Sequence, residues 1–266
     1  MFCNCARRFT IKYLTDKYRE FNKNHPAKRL SPWDLMILST RQVFFQWLED
    51  LHRNVIWSDK MLYSTIKLKI ITNSHETDYQ QKHGLNFDKK ILISKGYARL
   101  KKLIRQPLLK KLARGGIKEW SYHERTKVVT FGHLDVYCSP DIVFRTGNKW
   151  NLVRLNFQSE IKQPYLDLEL TTMLLWSKSN QYLPNLESKF NIYGIFYQQG
   201  KWHQKQVRPS KKGLQETKQL LENDVHQMNL LQKEFYRTKD FDAMPLTNSP
   251  SYCKRCPYKT NCPINA

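Results

Sequence analysis

Asp141-Ile-Val-Phe144 and Trp150-Asn-Leu-Val-Arg-Leu-Asn-Phe157, separated by Gly147-Asn148, decide the fold. Both runs are rich in β-branched and aromatic residues, and a Gly-Asn pair between two such runs signals a hairpin. A third β pattern, Lys127-Val-Val-Thr-Phe131, comes just before them. After them, residues 165–178 place Leu168, Leu170, Met173, Leu174 and Leu175 at helical spacing. A second hairpin follows, residues 191–197 and 201–207 around a Gln-Gly turn. A long amphipathic helix, about 211–237, then uses Leu214, Leu220, Leu221, Val225, Met228, Leu231 and Phe235. With a helix ahead of the first strand, the central order is α-β-β-β-α-β. It predicts an α/β fold, a mixed sheet flanked by helices.

Working toward the N-terminus, Ser31-Pro-Trp-Asp34 is a helix start: Ser as N-cap, Pro at the first helical position, Asp at the third. The helix it opens runs to about residue 53, with Leu35, Ile37, Leu38, Val43, Phe44, Trp47, Leu48 and Leu51 as its apolar stripe. Thr65-Ile-Lys-Leu-Lys-Ile70 alternates with period two and predicts a strand. Residues 97–114 have helical period, with Leu100, Leu103, Ile104, Leu108 and Leu112 on one side. Arg99, Lys102, Arg105, Lys110 and Arg114 fall on the other, and Pro107 predicts a kink.

The chain has 266 residues, 45 Lys+Arg and 23 Asp+Glu, for a net charge of +22. At 40% hydrophobic and 13% aromatic content it has material for a sizeable core, which excludes a disordered tail. A surplus of this size points to a polyanion partner, nucleic acid first. The charge is uneven. Residues 151–200 hold four basic and four acidic residues, whereas residues 95–118 hold nine basic and no acidic ones. That clustering nominates Lys95, Arg99, Lys102, Arg105, Lys110, Lys111 and Arg114 as a phosphate-binding surface. No apolar run approaches the length that spans a bilayer, and the N-terminus has no h-region, so no membrane role and a cytoplasmic location are expected.

The six cysteines are Cys3, Cys5, Cys138, Cys253, Cys256 and Cys262. In Tyr252-Cys-Lys-Arg-Cys-Pro-Tyr-Lys-Thr-Asn-Cys-Pro263 the last three form C-x2-C-x5-C, a spacing suited to metal ligation. Thiolates in such a cluster favour iron or zinc. A fourth ligand is required, and Cys3 and Cys5 are the candidates. Cys138, between strands, reads as a buried core thiol.

Cys5-Ala-Arg-Arg-Phe-Thr-Ile-Lys-Tyr13 together with the C-terminal cysteine run resembles the RecB-like nucleases that carry an iron–sulfur cluster. These include the CRISPR-associated RecB-like exonucleases of antiviral defence and the AddB nuclease domain. The resemblance implies a PD-(D/E)xK (restriction-endonuclease-like) core and one domain over residues 1–266. Its parts would be a helical portion with the basic helix (1–120), the core (121–210), and a C-terminal helix with the cysteine cluster (211–266). It further implies a 4Fe–4S cluster on Cys5, Cys253, Cys256 and Cys262 that staples the two chain ends, with zinc as the alternative metal. The partner it implies is DNA, as single strands or duplex ends, within a defence or recombination complex.

The same resemblance places the catalytic metal, magnesium or manganese, at the Asp of Ser139-Pro-Asp141, with Asp135 of Gly132-His-Leu-Asp135 as a rival. The next strand should add an acid and a Lys on one face, but the hairpin register puts Arg154 and Asn156 there. The Gly-x-x-x-His motif reads Gly96 to Leu100, and the Gln-x-x-x-Tyr motif reads Glu169 to Met173. Glu160-Ile-Lys162 is a literal E-x-K further on. Three expectations stand side by side. One is a DNA-binding protein with an impaired centre and an Asp141–Arg154 bridge. Another is an active exonuclease using Asp141, Glu160 and Lys162. A zinc-stabilised structural subunit of a nucleoprotein complex is a third.

Overall fold

The β5–β6 pairing organises the molecule, because two parallel neighbours cannot be joined by a tight turn and require a crossover. The computed structural model describes residues 5–14, 31–76, 88–123, 129–131, 134–158, 165–208, 210–240, 243–247, 253 and 256. In chain order its strands are β1 (Trp120–Tyr122), β2 (Val129–Phe131), β3 (Leu134–Val136), β4 (Ile142–Thr146), β5 (Lys149–Asn156), β6 (Phe190–Gln198) and β7 (Lys201–Val207). The helices are α1 (Ala6–Tyr13), α2 (Pro32–His52), α3 (Asp59–Glu76), α4 (Lys89–Ile104), α5 (Pro107–Ala113), α6 (Tyr165–Lys178) and α7 (Lys211–Thr238). The main sheet is ordered β1-β4-β5-β6-β7, parallel only between β5 and β6, with α6 as the crossover. It is thus a mixed five-stranded sheet flanked by helices, as expected.

The two hairpins are set by their turns. Gly147 (φ +57°) closes β4 on β5, and Gln199-Gly200 (φ +49° and +79°) closes β6 on β7 with the left-handed backbone that a twisted hairpin requires. One face of the sheet, through Ile142, Phe144, Val153, Leu155, Phe157, Ile195 and Trp202, shares a single core with α2, α3 and α4. Against the other lies α6. Gly194 makes that approach possible, since a Cβ there would stand 3.2 Å from Leu170 Cδ1.

Helix α2 starts as its sequence requires: Asp34 N–H donates to Ser31 Oγ at 3.1 Å, with Pro32 in the first turn. Three expectations are corrected. Residues 65–70 are not a strand but the middle of α3, because Leu62, Ile66 and Ile70 form a buried i, i+4, i+8 stripe while Leu68 is 65% exposed. The single kinked helix over 97–114 is two helices, α4 beginning early at an Asp88 cap and α5 restarting at Pro107. The β pattern at 127–131 contributes β2, which among the described residues pairs with β3 alone in a separate two-stranded sheet, whereas β1 takes the edge of the main one.

The chain divides into two compact units, a finer partition than the single domain expected over 1–266. Residues 30–218 form one, holding the sheet and α2–α6. Residues 1–29 and 219–266 form the other. Within it the chain ends are tied together: Arg7 N–H donates to Pro245 O at 3.1 Å and Arg7 Nε to Met244 O at 3.3 Å.

Candidate functional site

Asp141 enters β4 with its backbone fully engaged. Its N–H donates to Val153 O at 2.8 Å, and its carbonyl accepts from His123 N–H at 3.0 Å. Its carboxylate is buried, and Oδ2 accepts the Leu155 N–H at 2.6 Å. Two guanidinium groups converge on it. Arg154 of β5 brings Nη1 to 3.8 Å from Oδ2, and Arg41 of α2 brings Nη2 to 4.0 Å from Oδ1. The expected Asp141–Arg154 bridge is therefore formed. Arg154 goes on to place Nε 3.3 Å from Glu169 Oε1 of α6, and its Nη2 donates to Cys138 O at 3.4 Å.

The result is an alternating chain of charge, Arg41–Asp141–Arg154–Glu169, running from α2 through the sheet to α6. Its two inner members, Asp141 and Arg154, are removed from water and are stable there only because each has a counter-charge. Arg41 and Glu169 at the ends keep part of their side chains in solvent. Its chemistry is unlike a metal centre. A divalent ion needs several converging oxygens, and at Asp141 it would meet two guanidinium groups instead. The burial of Cys138 beside this network pushes its thiol up to about 11, against a smaller downward pull from the Arg154 charge. A thiol held protonated in this way is unreactive.

Among the described residues, the other positions of the family motifs supply no further acid to this cluster. Asp135, the rival, lies exposed on β3 and accepts from Thr130 Oγ1 at 2.7 Å. Asn156 Oδ1 accepts the Gln158 N–H at 3.1 Å. Leu100 and Met173, where the family motifs have His and Tyr, are fully buried core residues. Glu160 and Lys162 lie outside the described residues. Sequence reasoning missed Arg41. Its one signal is position: four residues after Ile37 and three before Phe44, a charge within the apolar stripe.

The basic segment divides into two kinds of cation. Lys95, Lys102, Arg105, Lys110, Lys111 and Arg114 are exposed, and the Lys102 Nζ donates to Gly200 O at 2.9 Å. Arg99 is corrected: it does not face solvent but is 4% exposed. Its Nη1 donates to Phe157 O at 2.6 Å, and its guanidinium lies 4.0 Å from the Tyr197 ring and 4.8 Å from Trp33. Trp202 Nε1 donates to the Arg99 carbonyl at 2.9 Å. Burial pulls this guanidinium below its ordinary pKa. Arg99 is a core cation that joins α4 to the sheet.

Cys5, Cys253 and Cys256 are half-buried thiols of the same unit, none in a disulfide, and Cys262 lies outside the described residues. Cys5 Sγ accepts the Arg8 N–H at 3.5 Å and caps α1, and Cys256 N–H donates to Cys253 O at 3.1 Å. As soft donors they suit iron–sulfur or zinc. Among the described residues, however, no three His, Cys, Asp or Glu side chains form a group able to hold a metal ion. Among the described residues, too, no helix is long and apolar enough to cross a membrane. Compared with protein-family models, curated proteins and solved structures, the chain matches none.

Proposed function

We propose that this chain is a DNA-binding protein on a PD-(D/E)xK-like scaffold whose metal-binding centre has been replaced by ion pairs. One observation carries the proposal: the carboxylate at the Pro-Asp position, Asp141, is buried against Arg154 and Arg41. A guanidinium in the place of a metal-binding acid neutralises the carboxylate without supplying a Lewis acid or an activated water. The exposed cations of α4 and α5 support the binding half of the proposal. The pathway we propose is a defence or recombination complex acting on single strands or duplex ends.

The test is a cleavage assay on labelled single-stranded and duplex DNA with magnesium or manganese, run beside a binding assay on the same probes. Salt-sensitive binding without metal-stimulated cleavage is expected. Cleavage abolished by Asp141→Ala or Glu160→Ala would establish the exonuclease reading with Asp141, Glu160 and Lys162. Absence of any nucleic-acid binding would overturn both.

For the cysteines we propose a 4Fe–4S cluster on Cys5, Cys253, Cys256 and Cys262. The hydrogen bonds from Arg7 that bring the two chain ends into one unit support it. The purified protein should be brown, and Cys256→Ser should bleach and destabilise it. A colourless protein holding stoichiometric zinc would replace iron by zinc and keep the staple.

A further inference from the structure

Where α2 ends and α3 begins, a small recess opens in the unit formed by residues 30–218. Its volume is about 70 Å³, and Trp47, Trp57, Asp59, Lys101, Ile104 and Arg105 line it. The Trp57 indole is fixed in place, because its Nε1 donates to Asp50 Oδ2 at 2.8 Å. Asp59 is neutralised by an ion pair with Lys101, whose Nζ also donates to the Tyr97 hydroxyl at 3.0 Å. Arg105 is exposed at the rim. Beside the recess Tyr63 and Tyr97 make an edge-to-face pair at 5.4 Å, and Tyr63 is 46% exposed. Ile56, in the loop that leads to Trp57, is 85% exposed.

This combination selects its own ligand class. A cation site would need converging acids, and the one acid of the lining is already paired. A purely apolar ligand would leave the Arg105 charge against it. Indole walls with a guanidinium at the lip suit a flat, π-faced group joined to an anion, which describes a nucleotide. A recess this small takes no more than one base, and a base is free to enter only when it is not stacked inside a duplex. Past Arg105 the chain passes directly into α5, where Lys110, Lys111 and Arg114 are exposed, and no acid occurs from Lys89 to Lys118.

Building on the nucleic-acid reading above, we infer that the Trp57 recess takes one unstacked base of single-stranded nucleic acid, with Arg105 at the adjoining phosphate. The recess thereby gives the protein a preference for single strands over duplex.

The experiment measures fluorescence anisotropy of a labelled oligothymidylate and of a blunt duplex of equal length with the full chain. Trp57→Ala should weaken oligothymidylate binding roughly ten- to hundredfold, the range of one lost base stack, and leave duplex binding within about twofold. Trp57→Phe keeps a stacking face while losing the Asp50 bond, so it should retain most of the affinity. If Trp57→Ala fails to fold, Arg105→Ala at the exposed rim decides instead, with a larger loss expected on the oligothymidylate than on the duplex. A folded Trp57→Ala that binds both probes like the wild type overturns the recess and leaves DNA binding intact. A wild-type protein that binds neither probe removes both.

Discussion

Arg154 and Arg114 present the same guanidinium under opposite conditions. Arg154 is buried between the carboxylates of Asp141 and Glu169, while Arg114 is exposed at the end of α5. For the first, removal from water is offset only by fixed counter-charges, so its energy lies in structure. For the second, hydration is retained and the charge stays available to a mobile polyanion. Arg99 is buried like Arg154 but is held by the Phe157 carbonyl and the rings of Tyr197 and Trp33. Arg41 pairs with Asp141 while keeping 34% of its side chain exposed, and Lys110 and Lys111 belong with Arg114. A net charge of +22 therefore overstates the surface available for phosphate, because part of it holds the core together.

The largest effect should come from breaking the buried side of this contrast. Asp141→Ala leaves Arg154 and Arg41 facing each other across a gap with Glu169 as the one acid of the network. It should cost roughly 3–5 kcal/mol in urea unfolding. Replacing the pair together, Asp141→Leu with Arg154→Met, should restore much of that loss, since the two charges left without a partner, Arg41 and Glu169, are part-exposed and can be hydrated. Were Asp141 a working metal ligand, its removal would instead abolish cleavage at little cost in stability. A stable, inactive Asp141→Ala would thus reverse the assignment of Arg154 to the structural class.

A smaller effect, on binding and not on folding, should follow from the exposed side. Lys110, Lys111 and Arg114 changed together to Ala should reduce the slope of log affinity against log salt by about two to three units, at roughly 0.7–0.9 per phosphate contact. Unfolding stability should change by no more than about 0.5 kcal/mol. An unchanged slope would show that α5 is a solvated face, and the contrast between the two kinds of cation would lose its functional half.

This division shows what the sequence discloses. The hairpins around Gly147 and Gly200, the crossover helix α6, the long α7 and the capped start of α2 are legible, because each depends on local chemistry: a turn residue, a period, a cap. The Asp141–Arg154 pair is legible too, since a hairpin turn fixes which residues oppose each other. What fails depends on neighbours distant in sequence. Residues 65–70 alternate like a strand, yet the same residues satisfy a helical stripe once Leu62 is included, and the choice is made by packing of α3 on α2 and α4. Arg99 lies on the polar side of its own helix by sequence, but Phe157, Tyr197 and Trp33 enclose it from other elements. Arg41 and the Trp57 recess likewise need partners that no local pattern announces. Charges give number and spacing, and burial decides their use.

The smallest expected effect uses Cys138 as a reporter inside the buried network. Its thiol is raised from an ordinary 9.0 to about 11, chiefly by burial, with the Arg154 charge opposing. Between those values the folded chain keeps a proton that the unfolded chain has released, so stability falls as pH rises. The contribution is intact below pH 9 and is lost as pH climbs through 11. By pH 10 it should amount to about 1 kcal/mol. Lysines and tyrosines also titrate in this range, so the quantity to measure is the difference between wild type and Cys138→Ala across urea midpoints from pH 8 to pH 10. That difference should shrink in the alkaline direction. Arg154→Met removes the opposing charge, which should move the thiol still higher and extend the slope to higher pH. The Lys110, Lys111 and Arg114 triple variant should leave it untouched. If the surface variant moved the Cys138 titration as much as Arg154→Met did, the two sets of cations would share one electrostatic environment, and the separation drawn between them would fail.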